Sequence, residues 1–103
     1  MKIVIAEKAR VMINKQLEEK NKNSEDTFLR IFIKGMGWGG PTFGIALEEQ
    51  ENKEKDYYEE MNGLKILVEK DLLDKYKSFE IDYSDSWFRK GFSIQTGTRG
   101  SGC

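Results

Sequence analysis

The segment KGMGWGGPTFG, Lys34 to Gly44, places five glycines and the chain's only proline within eleven residues. No other stretch restricts the possible folds as strongly. A helix through it would be costly, because glycine loses the most backbone freedom on ordering and proline breaks the interior of a helix. It is flanked by alternation. In FLRIFIK (28–34), Leu29, Ile31 and Ile33 share one face and Phe28, Arg30, Phe32 and Lys34 the other. In TFGIALE the alternating set is Phe43, Ile45 and Leu47. Two strands joined by a glycine segment follow. A plain hairpin connection needs two to five residues and one or two glycines. The five found here predict a backbone that packs closely against another chain or a bound group.

GMGWGG also matches the G-x-G-x-x-G pattern of dinucleotide-binding loops, with Glu59 and Glu60 about twenty residues on. That pattern works through a helix N-terminus behind the loop, and Pro41 could open one. Gly44 and the alternating TFGIALE favour a strand instead, and 103 residues are too few for the usual two-part nucleotide sheet.

The remaining elements read from periodicity. KIVIA is a short strand. It runs into EKARVMINKQLEEKN, where Ala9, Met12, Ile13 and Leu17 recur at helical spacing and predict an amphipathic helix near residues 7–20. Strands are predicted near 28–34, 42–48, 64–68, 79–83 and 90–95, which makes the fold class mainly β (α+β). Asn62-Gly63 ahead of LKILV predicts a tight turn. EKDLLDKY predicts one or two helical turns. Glu48–Glu60 carries seven acids against two lysines and reads as a solvated loop or hairpin edge, where only weak binding of a hard cation is conceivable. FEIDYS and FRKGFSIQ read as strands around an Asp85-Ser86 turn, with Trp87 and Phe88 expected in the core. One domain spans 1–103, ending in a glycine-rich tail (96–103) expected to be mobile.

Composition narrows function. The net charge of −1 gives no polyanion-binding signature, and Arg89, Lys90 and Arg99 form too small a patch for a nucleic-acid reading. No apolar run is long enough to span a membrane. MKIVIAEKAR lacks the features of a signal peptide, and the single cysteine permits no internal disulfide, so a cytoplasmic location is expected. Histidine is absent, which removes the commonest general base and metal ligand. With no Ser/Asp arrangement or separable carboxylate pair either, an enzyme is not expected.

From Phe28 onward the order is strand, KGMGWGGPTFG, strand, acidic insert, then GLKILVEKDLLDKYKSFEIDYSDSWFRKGFSIQTGTRGSGC. With the helix near 7–20 in front, nearly the whole chain resembles the HesB/IscA-like family of A-type iron–sulfur carriers. The anchors are the glycine segment, Asn62-Gly63-Leu64, EKDLLDKY, FEIDY and Gly91-Phe92. The resemblance implies two small β-sheets packed with the N-terminal helix, a homodimer or higher homo-oligomer, and iron–sulfur assembly proteins as partners. It also implies three cysteine ligands for iron or an iron–sulfur cluster, one in the glycine loop and two in a C-terminal Cys-Gly-Cys. Here Trp38 stands at the loop position between Gly37 and the pair Gly39-Gly40, and Cys103 matches the first cysteine of the tail. An indole cannot replace a soft, anionic thiolate.

Expectations for Trp38 therefore divide between a plug for the vacated cluster site and an anchor at a protein interface, with Met36 suited to either. Those for Cys103 divide between a ligand and an incidental exposed thiol. Two readings follow: an iron–sulfur assembly accessory or carrier, in which direct ligation is weakened, and an interaction module on the same fold that has lost cluster binding. A chain ending at the first cysteine of the pair reads either as a naturally reduced ligand set or as a reading frame cut at a codon translated as selenocysteine. Sequencing of genomic DNA past codon 103 separates these.

Overall fold

Pattern and observed structure agree first at the helix. A computed structural model describes residues 3–87 and 89–97. Helix α1 (Glu7–Glu19) buries Ala9, Ile13 and Leu17, the i, i+4, i+8 stripe set by helical periodicity. Ahead of it, β1 (Ile3–Ile5) pairs in parallel with β6 (Phe79–Ser86), which pairs antiparallel with β7 (Arg89–Thr96). These three strands form one sheet, ordered β1-β6-β7.

The second sheet contains β2 (Phe28–Gly37), β3 (Gly40–Glu48), β4 (Asp56–Met61) and β5 (Leu64–Glu69) in the order β3-β2-β5-β4. The β2–β5 pairing is parallel and the other two are antiparallel. Helix α2 (Lys70–Tyr76) leads from β5 back to β6. The sheets and α1 enclose one apolar core that includes Ile3, Ile13, Ile31, Ile66, Phe79 and Ile81, each no more than 1% exposed. Phe43 of β3 packs edge-on against Tyr76 and Phe79, with ring centroids 5.1 and 5.2 Å away.

The β4–β5 hairpin turns on Asn62 (φ 51°) and Gly63 (φ 83°), the two successive left-handed residues that an Asn-Gly turn supplies. The longer hairpin differs from expectation. β2 and β3 continue through the glycines, and only Trp38 and Gly39 lie in the turn, with Gly37 opposite Gly40. The glycine segment is thus a plain two-residue hairpin, and strand rather than helix follows Pro41, which removes the dinucleotide reading. Gly40 holds φ +102°, a region that L side chains avoid. Gly40→Ala should accordingly cost about 1–2 kcal/mol in urea denaturation, whereas Gly39→Ala should be milder.

Three other expectations need correction. The acidic stretch ends in β4, the edge strand of the β4–β5 hairpin, as the second of its two readings had it, but it is not solvated throughout, because the Asp56 carboxylate is buried. Asp85 and Ser86 belong to β6, and Trp87 beyond them is 95% exposed rather than in the core. Ile33 is 36% exposed: the register shifts between Ile33 and Gly35, where the hairpin leaves the core behind. Phe88 and residues 98–103, including Arg99 and Cys103, lie outside the described residues.

Candidate functional site

At the end of the β2–β3 hairpin away from its tip, β2 is tied to the sheet by an ionic clamp. There Arg30 reaches across the sheet in both directions: Nε donates to Glu48 Oε1 of the adjacent β3 at 2.7 Å, and Nη1 and Nη2 donate past β5 to the two carboxylate oxygens of Asp56 on β4 at 2.9 and 2.6 Å. Asp56 also accepts the backbone N–H of Asn52 at 2.9 Å, which fastens the acidic 49–55 connection to the sheet. The Arg30 hydrogen bonds hold the Asp56 carboxyl below the usual carboxylate range, and the same pairing raises the Arg30 guanidinium. On β4, Tyr57 donates its hydroxyl to Glu59 at 2.6 Å, which pushes the phenol up to about 12. Sequence reading missed the Arg30–Asp56 clamp. Its one available signal was Asp56 directly preceding the alternation of YYEEM, as an inward residue at a strand entrance.

Beyond the clamp the hairpin projects as bare backbone. Trp38 is fully exposed and Met36 is 73% exposed. A Cβ placed on Gly35, Gly37 or Gly39 would meet nothing within 4 Å. Within one chain, then, the indole plugs nothing, and the glycines at 37, 39 and 40 enclose no cavity. Trp38 and its glycines are brought together by the turn, whereas Cys103 lies outside the described residues. Among the described residues no group of three or more acidic, cysteine or histidine side chains could hold a metal. The sulfur at the tip belongs to the thioether of Met36, which carries no charge. These residues do not make the soft anionic donor set that iron–sulfur clusters take.

A groove of about 510 Å³ opens elsewhere, between α1 and the sheets. Its walls are Ile13, Leu29, Ile45, Leu47 and Phe92, with Gln16, Lys20 and Lys22 at the border. Lys22 is engaged with Glu49 at 2.8 Å. No described helix is long and apolar enough to cross a membrane.

The site so defined is a protruding glycine hairpin on a small domain of two sheets and an N-terminal helix. Known proteins are similar to this domain. The chain is 34% identical over 92 residues to the SufA protein of Bacillus subtilis, covering 89% of this chain and 74% of that one. It is 33% identical over 89 residues to a Nitrosomonas europaea protein that carries the name iron–sulfur cluster insertion protein ErpA, with 86% and 72% covered. A crystal structure of IscA with the [2Fe-2S] cluster superimposes with a TM-score of 0.71 over 93% of this chain and 83% of that one, at 14% identity, a likeness of fold. No family model matches. On its kinship with these sequences, the chain belongs to the HesB/IscA-like family of A-type iron–sulfur carriers.

Proposed function

We propose that this protein serves iron–sulfur cluster assembly as a carrier-like accessory, with the cluster or its iron as transient cargo. The observation that carries this reading is the kinship spanning 89% of the chain, glycine hairpin included. The names of relatives supply the process, and the absence of histidine argues for a carrier over an enzyme. The chain acts as one domain in the cytoplasm, as a homodimer or higher homo-oligomer that meets iron–sulfur assembly proteins. Cys103 is its cargo-holding thiolate. With Trp38 at the loop position, residues 1–103 offer one thiolate, and two copies offer two, short of the four that common clusters use.

Anaerobic reconstitution with iron and sulfide tests this directly. The 103-residue chain should retain little iron, and Cys103→Ser should remove what remains. A stable visible chromophore with unchanged iron stoichiometry in Cys103→Ser would overturn the ligand assignment. The full exposure of Trp38 favours a second role on the same fold, in protein contact. An indole on bare backbone makes a poor solvent surface and a good anchor. If it anchors the homo-oligomer, Trp38→Ala should weaken association by more than ~1 kcal/mol in sedimentation.

A further inference from the structure

Among the described residues, three that are not glycine have positive φ: Asn21, Asn62 and Lys77. Asparagine tolerates that region and lysine does not. Lys77 stands at φ 73° and ψ −47°, and the next N–H, that of Ser78, donates back to the Tyr76 carbonyl at 2.8 Å. Residues 76–78 are thus a γ-turn of the positive-φ kind, a rare and strained form. Both of its flanks are fixed. The Lys77 N–H is held by the Leu73 carbonyl at 2.7 Å, Tyr76 packs against Phe43, and Phe79 is 1% exposed in the core. Only Lys77 and Ser78 carry the chain from α2 into β6.

The turn grips the end of β7. The Ser78 carbonyl accepts the Gly97 N–H at 2.9 Å, one residue past the last ladder pair, Phe79 with Thr96. Gly97 also presses on the same residue. A Cβ there would lie 2.2 Å from Ser78 Oγ, 3.3 Å from its Cβ and 3.4 Å from its backbone nitrogen, the tightest such contact at any described glycine. Gly97 has no positive φ, so close approach is what excludes a side chain.

We infer that the 76–78 turn and Gly97 form a strained latch, in which relaxation of Lys77 to negative φ and rupture of the Ser78–Gly97 bond are one event. Strain of this kind persists only where the surroundings over-determine it. Gly97 is the contact that completes the set. Relaxing Lys77 turns the peptide between residues 77 and 78 and carries Ser78 off Gly97, freeing the end of β7 while Phe79 keeps its ladder partners. Cys103 follows Gly97 by six residues in the sequence. The latch therefore sets the anchor from which a cargo thiolate is presented, a consequence that rests on the carrier reading above, whereas the latch itself does not.

Amide exchange followed by NMR, without iron, tests the latch from both sides. Lys77→Gly removes the strain, so the urea midpoint should rise and the Gly97 amide should exchange roughly fivefold more slowly than in the parent. A higher midpoint with unchanged exchange at Gly97 overturns the coupling, and an unchanged midpoint overturns the strain. Gly97→Pro removes the donor, so the Ser78 amide should exchange roughly tenfold faster while the amides of the β4–β5 hairpin stay as slow as before. A Ser78 amide as slow as in the parent overturns the latch. If Gly97→Pro does not fold, the Lys77→Gly result decides alone. None of these readouts involves Cys103, so failure of the carrier reading leaves them standing. In a Trp38→Cys background reconstituted with iron and sulfide, Gly97→Pro should lower retained iron severalfold. Unchanged iron with the latch open overturns its bearing on the cargo.

Discussion

Asp56→Ala should destabilise the fold by about 3–5 kcal/mol, the loss found when one partner of a buried ion pair is removed. The Asp56 side chain is 1% exposed and that of Arg30 16%, so the substitution leaves a poorly hydrated guanidinium with Glu48 as its one remaining carboxylate. It also deprives the Asn52 N–H of its acceptor. For a domain of this size the melting temperature should fall by more than ~10 °C. An unchanged midpoint would show that the clamp contributes nothing. The pH dependence has a definite sign. The folded-state pKa of Asp56 is depressed, so its stabilisation is fully present above the unfolded carboxyl value, about pH 4, and is lost as pH falls through the folded value. Urea midpoints measured between pH 6 and pH 2.5 should fall more steeply in the parent chain than in Asp56→Asn. Tyr57, raised to about 12, adds an effect only in alkali, where deprotonation beside Glu59 is resisted by the fold.

Trp38→Cys should increase iron retained after anaerobic reconstitution by roughly tenfold or more, since even outer-shell ligand partners are worth 10–100-fold. The change puts a thiolate on a bare, exposed turn, at the position that the family resemblance assigns to a cysteine. With Cys103 it gives residues 1–103 two thiolates, and the proposed dimer four, the set that [2Fe–2S] centres use. Trp38→Ser serves as the control, having a small side chain without the soft anion. Equal gains in both would assign the effect to removal of the indole. A gain in Trp38→Cys that survives Cys103→Ser would exclude the tail from ligation.

The elements most legible in the sequence were those whose residues are constrained locally. Asn62-Gly63 requires two left-handed residues, and Ala9, Ile13 and Leu17 have no second periodic reading. β2 and β3 were legible in their buried halves and not at their ends. Past the register shift at Ile33 no core face remains for a hydrophobic pattern to mark, so the extension through Gly37 and Gly40 left no trace in periodicity. Asp56 was hidden for another reason. Its burial depends on an arginine 26 positions earlier, a pairing that no window of neighbouring residues contains. Trp87 shows the converse, as an aromatic placed by its type in the core and held by the β6–β7 connection in solvent. At the candidate site, the sequence supplied the identity of residue 38 and the structure its exposure. Neither fact alone distinguishes a lost ligand from a gained contact.

Ile3 pairs with Phe79, the two residues lying 76 positions apart in the sequence. A ribosome must therefore make three-quarters of the chain before the first strand has a partner. Until then Ile3 and Ile5 can pack only against core side chains of α1 and the four-stranded sheet, with no strand to pair with. The three-stranded sheet is therefore the later of the two to close. Refolding should run on the millisecond-to-second scale of domains dominated by distant pairings. Amide exchange should show Ile5 and Ile81 gaining protection later than the amides of the β4–β5 hairpin. In a crowded cell that delay leaves the nascent chain reliant on its high charge density to stay clear of its neighbours.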